Sequence, residues 1–419
     1  MSNSSFNLKW DCEKTNDLAL KIILFGISPF FSFIYSFWRL NTKSSFLVFL
    51  LTGMFFGMSF TVSSNDIIDG ARHRVYFELD YFVSFKDYQD IIYSYFTFDN
   101  SVKDLYRHTI SFFVSRFTNN YHWYFFVISA IYGYFSLKCL RYLTSIKYYK
   151  FSLSFIILIF IFLIQANIFN INGVRFWTAG WIAIYAIFGL FISKKLRFLF
   201  LLFFTPIIHI AFWIVPPLVF CTIFFDKILK FKSKDNILYG FYFFSFIFSI
   251  FSVSVLTTIS NRLPSVFSNL ISSYLDEGYM NEINDFERTM TGMYFRIIKL
   301  IFVNLMMVFL IYHNKLIVRD RNIKLLFFFT LIAFSFVNVF MFIPSLGTRF
   351  FGFILPFTAF LWAYSFKGEK YNLFLLFVPI VFFRDIYLNY LYFSSVLDPF
   401  DFISNPFYLI YNHLLIEEN

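Results

Sequence analysis

The chain has 419 residues, 59% of them hydrophobic and only 14% charged, with a mean hydropathy of +0.66. Soluble domains carry roughly 25% charged residues, so these values exclude a soluble globular protein and imply a polytopic helical membrane protein whose apolar runs span the lipid bilayer. The formal charge of +10 does not point to nucleic acid, because most Lys and Arg fall in short loops between apolar runs, where they set orientation.

The first span is expected over Leu18–Trp38, with Pro29 as a kink. A second covers Phe46–Phe60. A long polar segment, 63–120, rich in Asp and Tyr, follows. Span three is Tyr121–Leu137, closed by Lys138, Arg141, Lys147 and Lys150, and span four is Phe151–Ile168. A polar cluster, Asn170, Asn172 and Gly173, then leads into Arg175 and a fifth span ending near Ile192. Arg175, Ala179, Ala183 and Ala186 share one helical face. Small residues there let another helix pack closely, so the arginine points into the bundle, where a guanidinium is costly unless paired or functional. No acid lies nearby in the sequence to neutralise it. Interfacial snorkelling is the plainer alternative.

Residues 198–225 are too few for two full spans, which need ~40 residues, and basic loops flank both ends. Positive-inside counting decides the topology. If the segment returns to the side it left, the later inner loops hold Lys227, Lys230, Lys232, Lys234, Lys315, Arg319, Arg321, Lys324, Lys367 and Lys370. The outer side then holds Arg262, Arg288, Arg296 and Arg349. A short membrane-embedded helical hairpin is therefore expected, its tip between Pro206, which cannot continue a helix ladder, and His209. Further spans are expected over Ile237–Leu256, Arg296–Tyr312, Leu325–Ile343, Phe350–Phe366 and Tyr371–Tyr390, with a second outer loop at 257–295. The whole is one all-α membrane domain, 1–419, with about 10–11 transmembrane helices. Counting back from the loops puts the N-terminus outside, against Lys9, Lys14 and Lys21.

Asp69, Arg72, Arg175 and Arg349 fall at the outer face on this topology, and His209 approaches it from within. Three arginines on one face suggest an anionic ligand, since a guanidinium binds phosphate through a rigid fork. A lipid-linked diphosphate presents such a group at this depth, and cations would stabilise it as a leaving group. Each residue has a plainer reading. Asp69 and Arg72 could be a local pair worth about 0.5 kcal/mol, His209 a buried histidine bonded to a carbonyl near Pro206, and Arg349 an interfacial anchor. The other histidines lack metal-ligand spacing, and neither metal nor cofactor is expected. Cys12, Cys139 and Cys221 are too scattered for a disulfide framework.

These residues resemble the EpsG/Wzy group of polysaccharide polymerases. Members carry an Asp-x-x-Arg-Tyr-like or Gly-Thr-Asp-like element after an early span, here Asp69-Gly70-Ala71-Arg72-His73 with His for Tyr. They carry an Arg followed by small residues opening a mid-chain span, here Gly173-Val174-Arg175 to Ala179. A basic loop and an embedded His follow, here Lys194-Lys195 and His209, although Ile210-Ala211 fits the family's next position less well. A late Arg-aromatic element matches Arg349-Phe350-Phe351. The ordered set covers residues 65–355.

The resemblance implies an enzyme joining lipid-linked repeat units at the outer face of the bacterial inner membrane. Donor and acceptor would be undecaprenyl-diphosphate-linked oligosaccharides, and a chain-length regulator protein is a possible partner. Arg72, Arg175, Arg349 and Asn172 would bind substrate, with His209 or Asp69 as the base or positioning group. Two other readings stand beside it. A GT-C-type glycosyltransferase using a polyprenyl-phosphate sugar would use acidic pairs such as Asp66/Asp69 or Asp87/Asp90, often with a metal. A lipid-linked oligosaccharide flippase is disfavoured by the long outer segments.

Overall fold

The computed structural model describes residues 8–62, 69–99, 102–146, 152–168, 173–228, 234–262, 268–269, 271–272, 275, 290–341, 343, 346–366 and 372–415. Among these residues the fold is all helical and forms no β-strand. Six single helices are long and apolar enough to cross a membrane, or up to eight spans if each of two bent pairs counts as one. The chain is an α-helical multi-pass membrane protein. The longer helices are α1 (Thr15–Ile27), α2 (Pro29–Ser36), α3 (Lys43–Met58), α4 (Asp69–Asp80), α5 (Phe85–Phe96), α6 (Tyr106–Ser115), α7 (Tyr121–Thr144), α8 (Leu153–Leu163), α9 (Val174–Phe191), α10 (Arg197–Ile208), α11 (Val215–Ile228), α12 (Lys234–Phe248), α13 (Ser252–Ser260), α14 (Met290–Tyr312), α15 (Arg321–Phe340), α16 (Leu346–Phe366) and α17 (Phe383–Val396).

The core is built on α9, α15 and α16, which are the most buried of the spans. α9 and α16 run parallel. Phe176 meets Phe350 near their starts, and Phe188 meets Phe357 and Phe360 further along. Their N-termini therefore share one end of the bundle, and Arg175 and Arg349 lie in the first turns of these two helices. The small face of α9 is buried as expected, with Ala179, Ala183 and Ala186 at most 1% exposed.

α10 runs back antiparallel along α9. A Cβ on Gly189 would lie 2.4 Å from the ring of Phe198, so the two helices touch where α10 begins. At the far end of α10 the chain reverses. Pro206 sits inside the helix, and the break falls at His209 (φ −153°, ψ 121°). A proline within the last turn loses one ladder bond without ending the helix, so the reversal falls at the His209 end of the stretch expected for the tip. A 3-10 turn, Ile210–Ile214, and α11 then return toward the starting side, where Asp226 pairs with Arg321 at the head of α15 (3.1 Å).

The first span requires a larger correction. Leu18–Trp38 is not one kinked helix but two helices folded against each other. Ser28 is extended (φ −161°, ψ 130°), and its hydroxyl accepts from the Phe30 N–H to cap α2, with Pro29 in the first helical position. Ser32 donates to the Lys21 carbonyl (2.9 Å) and Tyr35 to Asp17 (3.2 Å), pairings possible only in an antiparallel hairpin. Lys21, 1% exposed, closes its base with bonds to Glu13 (2.5 Å), Ser44 (2.7 Å), Ser45 (2.8 Å) and Thr42 (3.1 Å). The N-terminal segment then lies against the basic end of α7, where Arg141 stacks on Trp10 and donates to the Leu8 carbonyl. Both ends of α1–α2 thus lie at one end of the bundle.

Two expected spans are bent. The region of Ile237–Leu256 turns by 80° between α12 and α13, and residues 372–396 bend by 48° before α17. Segment 63–120 is helical where described, forming α4, α5 and α6. Most of 257–295 lies outside the described residues.

Candidate functional site

Phe176, the third residue of α9, is the hub of the site. The His209 ring packs edge-on to it (centroids 5.2 Å apart), and the Arg349 guanidinium lies 5.4 Å from its centroid. Phe212 and Phe350 close the apolar side. Three elements far apart in the chain, α9, the α10–α11 turn and α16, thus bring Arg175, His209 and Arg349 to one place.

Arg175 has a partner that its neighbouring sequence does not reveal. Its Nη1 donates to Asp104 Oδ2 at 2.7 Å; Asp104 is 4% exposed and the arginine side chain 38%. The backbone explains this placement. The Leu105 N–H donates to the Ile207 carbonyl (2.9 Å) and the Tyr95 hydroxyl to the Pro206 carbonyl (3.4 Å). These carbonyls sit in the last turn of α10, where no intrahelical donor reaches them. The polar helices α4–α6 are therefore pinned over the α10–α11 turn, which delivers Asp104 to the start of α9.

Around Asp104 lies a buried polar layer. His73 and Asp80 of α4, Arg107 and His108 of α6 and Tyr124 of α7 surround the pair. Arg107 lies 3.8 Å from Asp80 and stacks on Tyr76. His73 Nδ1, Asp104 Oδ1 and Tyr124 Oη are buried and have no hydrogen-bond partner among the described residues. Orphaned polar atoms gathered in one place mark a site rather than a packing core. Burial, reinforced by Arg175 and Arg107, drives the His73 imidazole down to about 3, and burial with Arg107 lowers His108 to about 4. Burial raises Asp104 above the ordinary carboxylate range although Arg175 opposes it, and burial likewise raises Asp80.

The ring orientation of His209 follows from its cap. Nδ1 accepts from the Ala211 N–H (3.2 Å), so the neutral ring carries its proton on Nε2 and presents a donor, not a base. It does not donate to a freed carbonyl through that nitrogen. Asp69 and Arg72 form the local i, i+3 pair at 3.9 Å and are 59% and 60% exposed. They stand at the start of α4, at the rim of the site, and only the field of Asp69 reaches Arg175. Asn172 and Asp66 lie outside the described residues. Asp87, from the alternative acidic pair, caps α5 with Ser84 in a reciprocal capping box. Among the described residues no three His, Cys, Asp or Glu side chains are grouped as a metal site.

Asp104, Arg107 and His108 were not singled out by sequence reasoning, and His73 only as the last residue of the Asp69–His73 element. Their usable signal was polarity: an Asp, an Arg and two His interrupt segments otherwise rich in aromatics. Compared with protein-family models, curated proteins and solved structures, the chain matches none of them.

Proposed function

We propose that this protein is a polysaccharide polymerase that joins polyprenyl-diphosphate-linked oligosaccharide repeat units at the outer face of the bacterial inner membrane. One observation carries the reading: Arg175, Arg349 and His209 converge on Phe176 from three separate elements, at the end of the bundle where α4–α6 fold over it. The α1–α2 hairpin supports the orientation. With one crossing fewer, the N-terminus joins the side of the basic loops, so Lys9, Lys14 and Lys21 obey the positive-inside rule. The α10–α11 turn is then a membrane-embedded hairpin, its non-helical tip lining the site as backbone at that depth must.

Arg175 and Arg349 receive the donor diphosphate, and His209 donates Nε2–H to one of its oxygens. Asp104 Oδ1 accepts the proton of the acceptor hydroxyl. The new bond forms between that oxygen and the donor's anomeric carbon, while the anomeric carbon–diphosphate bond breaks. The polyprenyl diphosphate leaves with its charge held by the arginines. Arg72 and Asp69 at the rim meet the glycan.

The test is the glycan ladder of cells expressing wild type or Arg175→Ala at matched membrane levels. Repeats confined to a single carrier-linked unit in the variant are expected. If loss of the whole protein shortens each repeat by one sugar but leaves the repeats polymerised, a GT-C-type transferase takes the place of this reading.

A further inference from the structure

The polar helices α4–α6 carry one corner that is not polar. It forms where the end of α4, the start of α5 and the end of α6 meet. Tyr88 and Phe112 stack at its base, with centroids 4.3 Å apart and planes 6° apart, and Phe85 lies 6.4 Å from Phe112. Arg116 fastens the corner. Its guanidinium lies over the Phe112 ring, and Nη2 donates to the Asp80 and Tyr81 carbonyls at 2.7 and 2.8 Å. Around this base Phe82, Phe85, Phe113 and Phe117 are 53–89% exposed. Single exposed apolar side chains are ordinary, but several large ones in one place mark a surface that something covers. Their exposure matches that of Phe200, Phe224 and Phe244 (53–79%) on α10, α11 and α12, helices of the bundle itself.

Two connections set the depth of this corner. At its head, α6 is tied to the α10–α11 turn by the bond from Leu105 to Ile207. α10 has 12 residues and is about 18 Å long. A hairpin that enters from the inner side therefore ends about 12 Å short of the far edge of a hydrocarbon core about 30 Å thick. α6 has 10 residues, about 15 Å, enough to climb from that tip to the far edge. At its other end the chain passes into α7, a crossing helix: Phe117 precedes Tyr121 by four residues, at most about 14 Å of chain. The corner thus lies where hydrocarbon gives way to headgroups, and aromatic rings gather there. The exposed Lys86, Asp87 and Asp90 of α5 give that helix the polar side of one that rests in an interface.

We propose that this corner inserts into the lipid leaflet at the site's end of the bundle, so that α4–α6 rest on the bilayer as a collar. The proposal needs the α10–α11 hairpin within the membrane but no particular chemistry at Arg175. The full-length protein is placed in nanodiscs of phosphatidylethanolamine and phosphatidylglycerol. It carries one nitroxide at a time in a Cys12→Ser/Cys221→Ser background, where the buried Cys139 stays unlabelled. Labels on Phe82→Cys and Phe117→Cys should collide with oxygen, relative to a water-soluble nickel complex, severalfold more than a label on Asp90→Cys. A label on Phe244→Cys, reading the acyl chains, controls for folding and for seating in the bilayer. Ratios at Phe82→Cys and Phe117→Cys equal to that at Asp90→Cys would overturn the proposal. So would shielding from both probes, which assigns a protein cover, or spin–spin broadening between molecules, which assigns a second copy. The glycan ladder reads the Arg175 site separately, so either idea can fail while the other stands.

Discussion

The chain folds back on itself at two helical turns, α1–α2 and α10–α11, and the two reversals are built differently. At the α1–α2 turn, Ser28 caps the second helix and Pro29 starts it; at the α10–α11 turn, an imidazole does the capping and the proline stays inside the preceding helix. The first hairpin is locked at its base by a buried ammonium in a ring of oxygens. The second is held at its tip, by bonds from Tyr95 and Leu105 to its free carbonyls. On the proposed function, the reversal locked at its base is structural, and the one gripped at its tip, whose imidazole lies in the field of Arg175 and Arg349, works on the ligand. Both the place of the proline and the residue that caps the next helix distinguish them.

The largest expected effect lies at the gripped tip. Asp104→Asn removes the proposed base and the charge paired with Arg175, and polymerisation in isolated membranes should fall about 100-fold or more. Activity within a few fold of wild type would remove Asp104 from the chemistry. At the locked base, Lys21→Met leaves the Glu13 carboxylate without its cation, while the Thr42, Ser44 and Ser45 hydroxyls keep their other partners. Breaking a buried pair costs about 3–5 kcal/mol, and Glu13 is 14% exposed, so a loss near about 3 kcal/mol is expected in chemical denaturation in detergent. The folded fraction should keep its turnover, and a turnover defect without a stability loss would erase the distinction between the hairpins. His209→Asn sharpens the contrast, because an amide oxygen can still cap the 3-10 turn but aims its donors differently. Stability should hold, and activity should drop by roughly 10–100-fold, one hydrogen bond to a charged group. Ser28→Ala, the matching change at the sealed tip, should cost only about 1 kcal/mol with activity per folded molecule unchanged.

The smallest effect is on pH. His73 and His108 titrate near 3 and 4 in the folded chain but near 6.5 when unfolded. Their full contribution is present above about pH 6.5 and is lost as pH falls toward about 4, where the unfolded chain binds protons that the folded one refuses. Asp80 and Asp104 are raised and act with the opposite sign, since the folded chain takes up their protons first. Acidification from about pH 7 to 5 should therefore lower the denaturation midpoint modestly, and less so in His108→Gln. Equal slopes in the two proteins would show that His108 is not held neutral by the fold.

Much of the candidate site was visible one residue at a time. Arg175 stood out because a cation heads a face of small residues, and His209 because it interrupts an apolar run between basic loops. Arg349 was marked by the short loop before it. Asp104 was not, because nothing local ties it to Arg175; 71 residues separate them, and only the docking of Leu105 on Ile207 makes them neighbours. The α1–α2 fold-back escaped for another reason. Summed hydropathy over Leu18–Trp38 is that of a span, and it does not register that Ser28 turns the chain around.

By itself the sequence determined a helical multi-pass protein and which helix starts carry arginine, because apolar length and face composition are local properties that each segment carries alone. The tertiary structure decided which way the chain runs after each break and which carboxylate meets which arginine. Those outcomes depend on where unsatisfied backbone carbonyls and buried charges find partners, and such partners come from distant segments that only packing brings together.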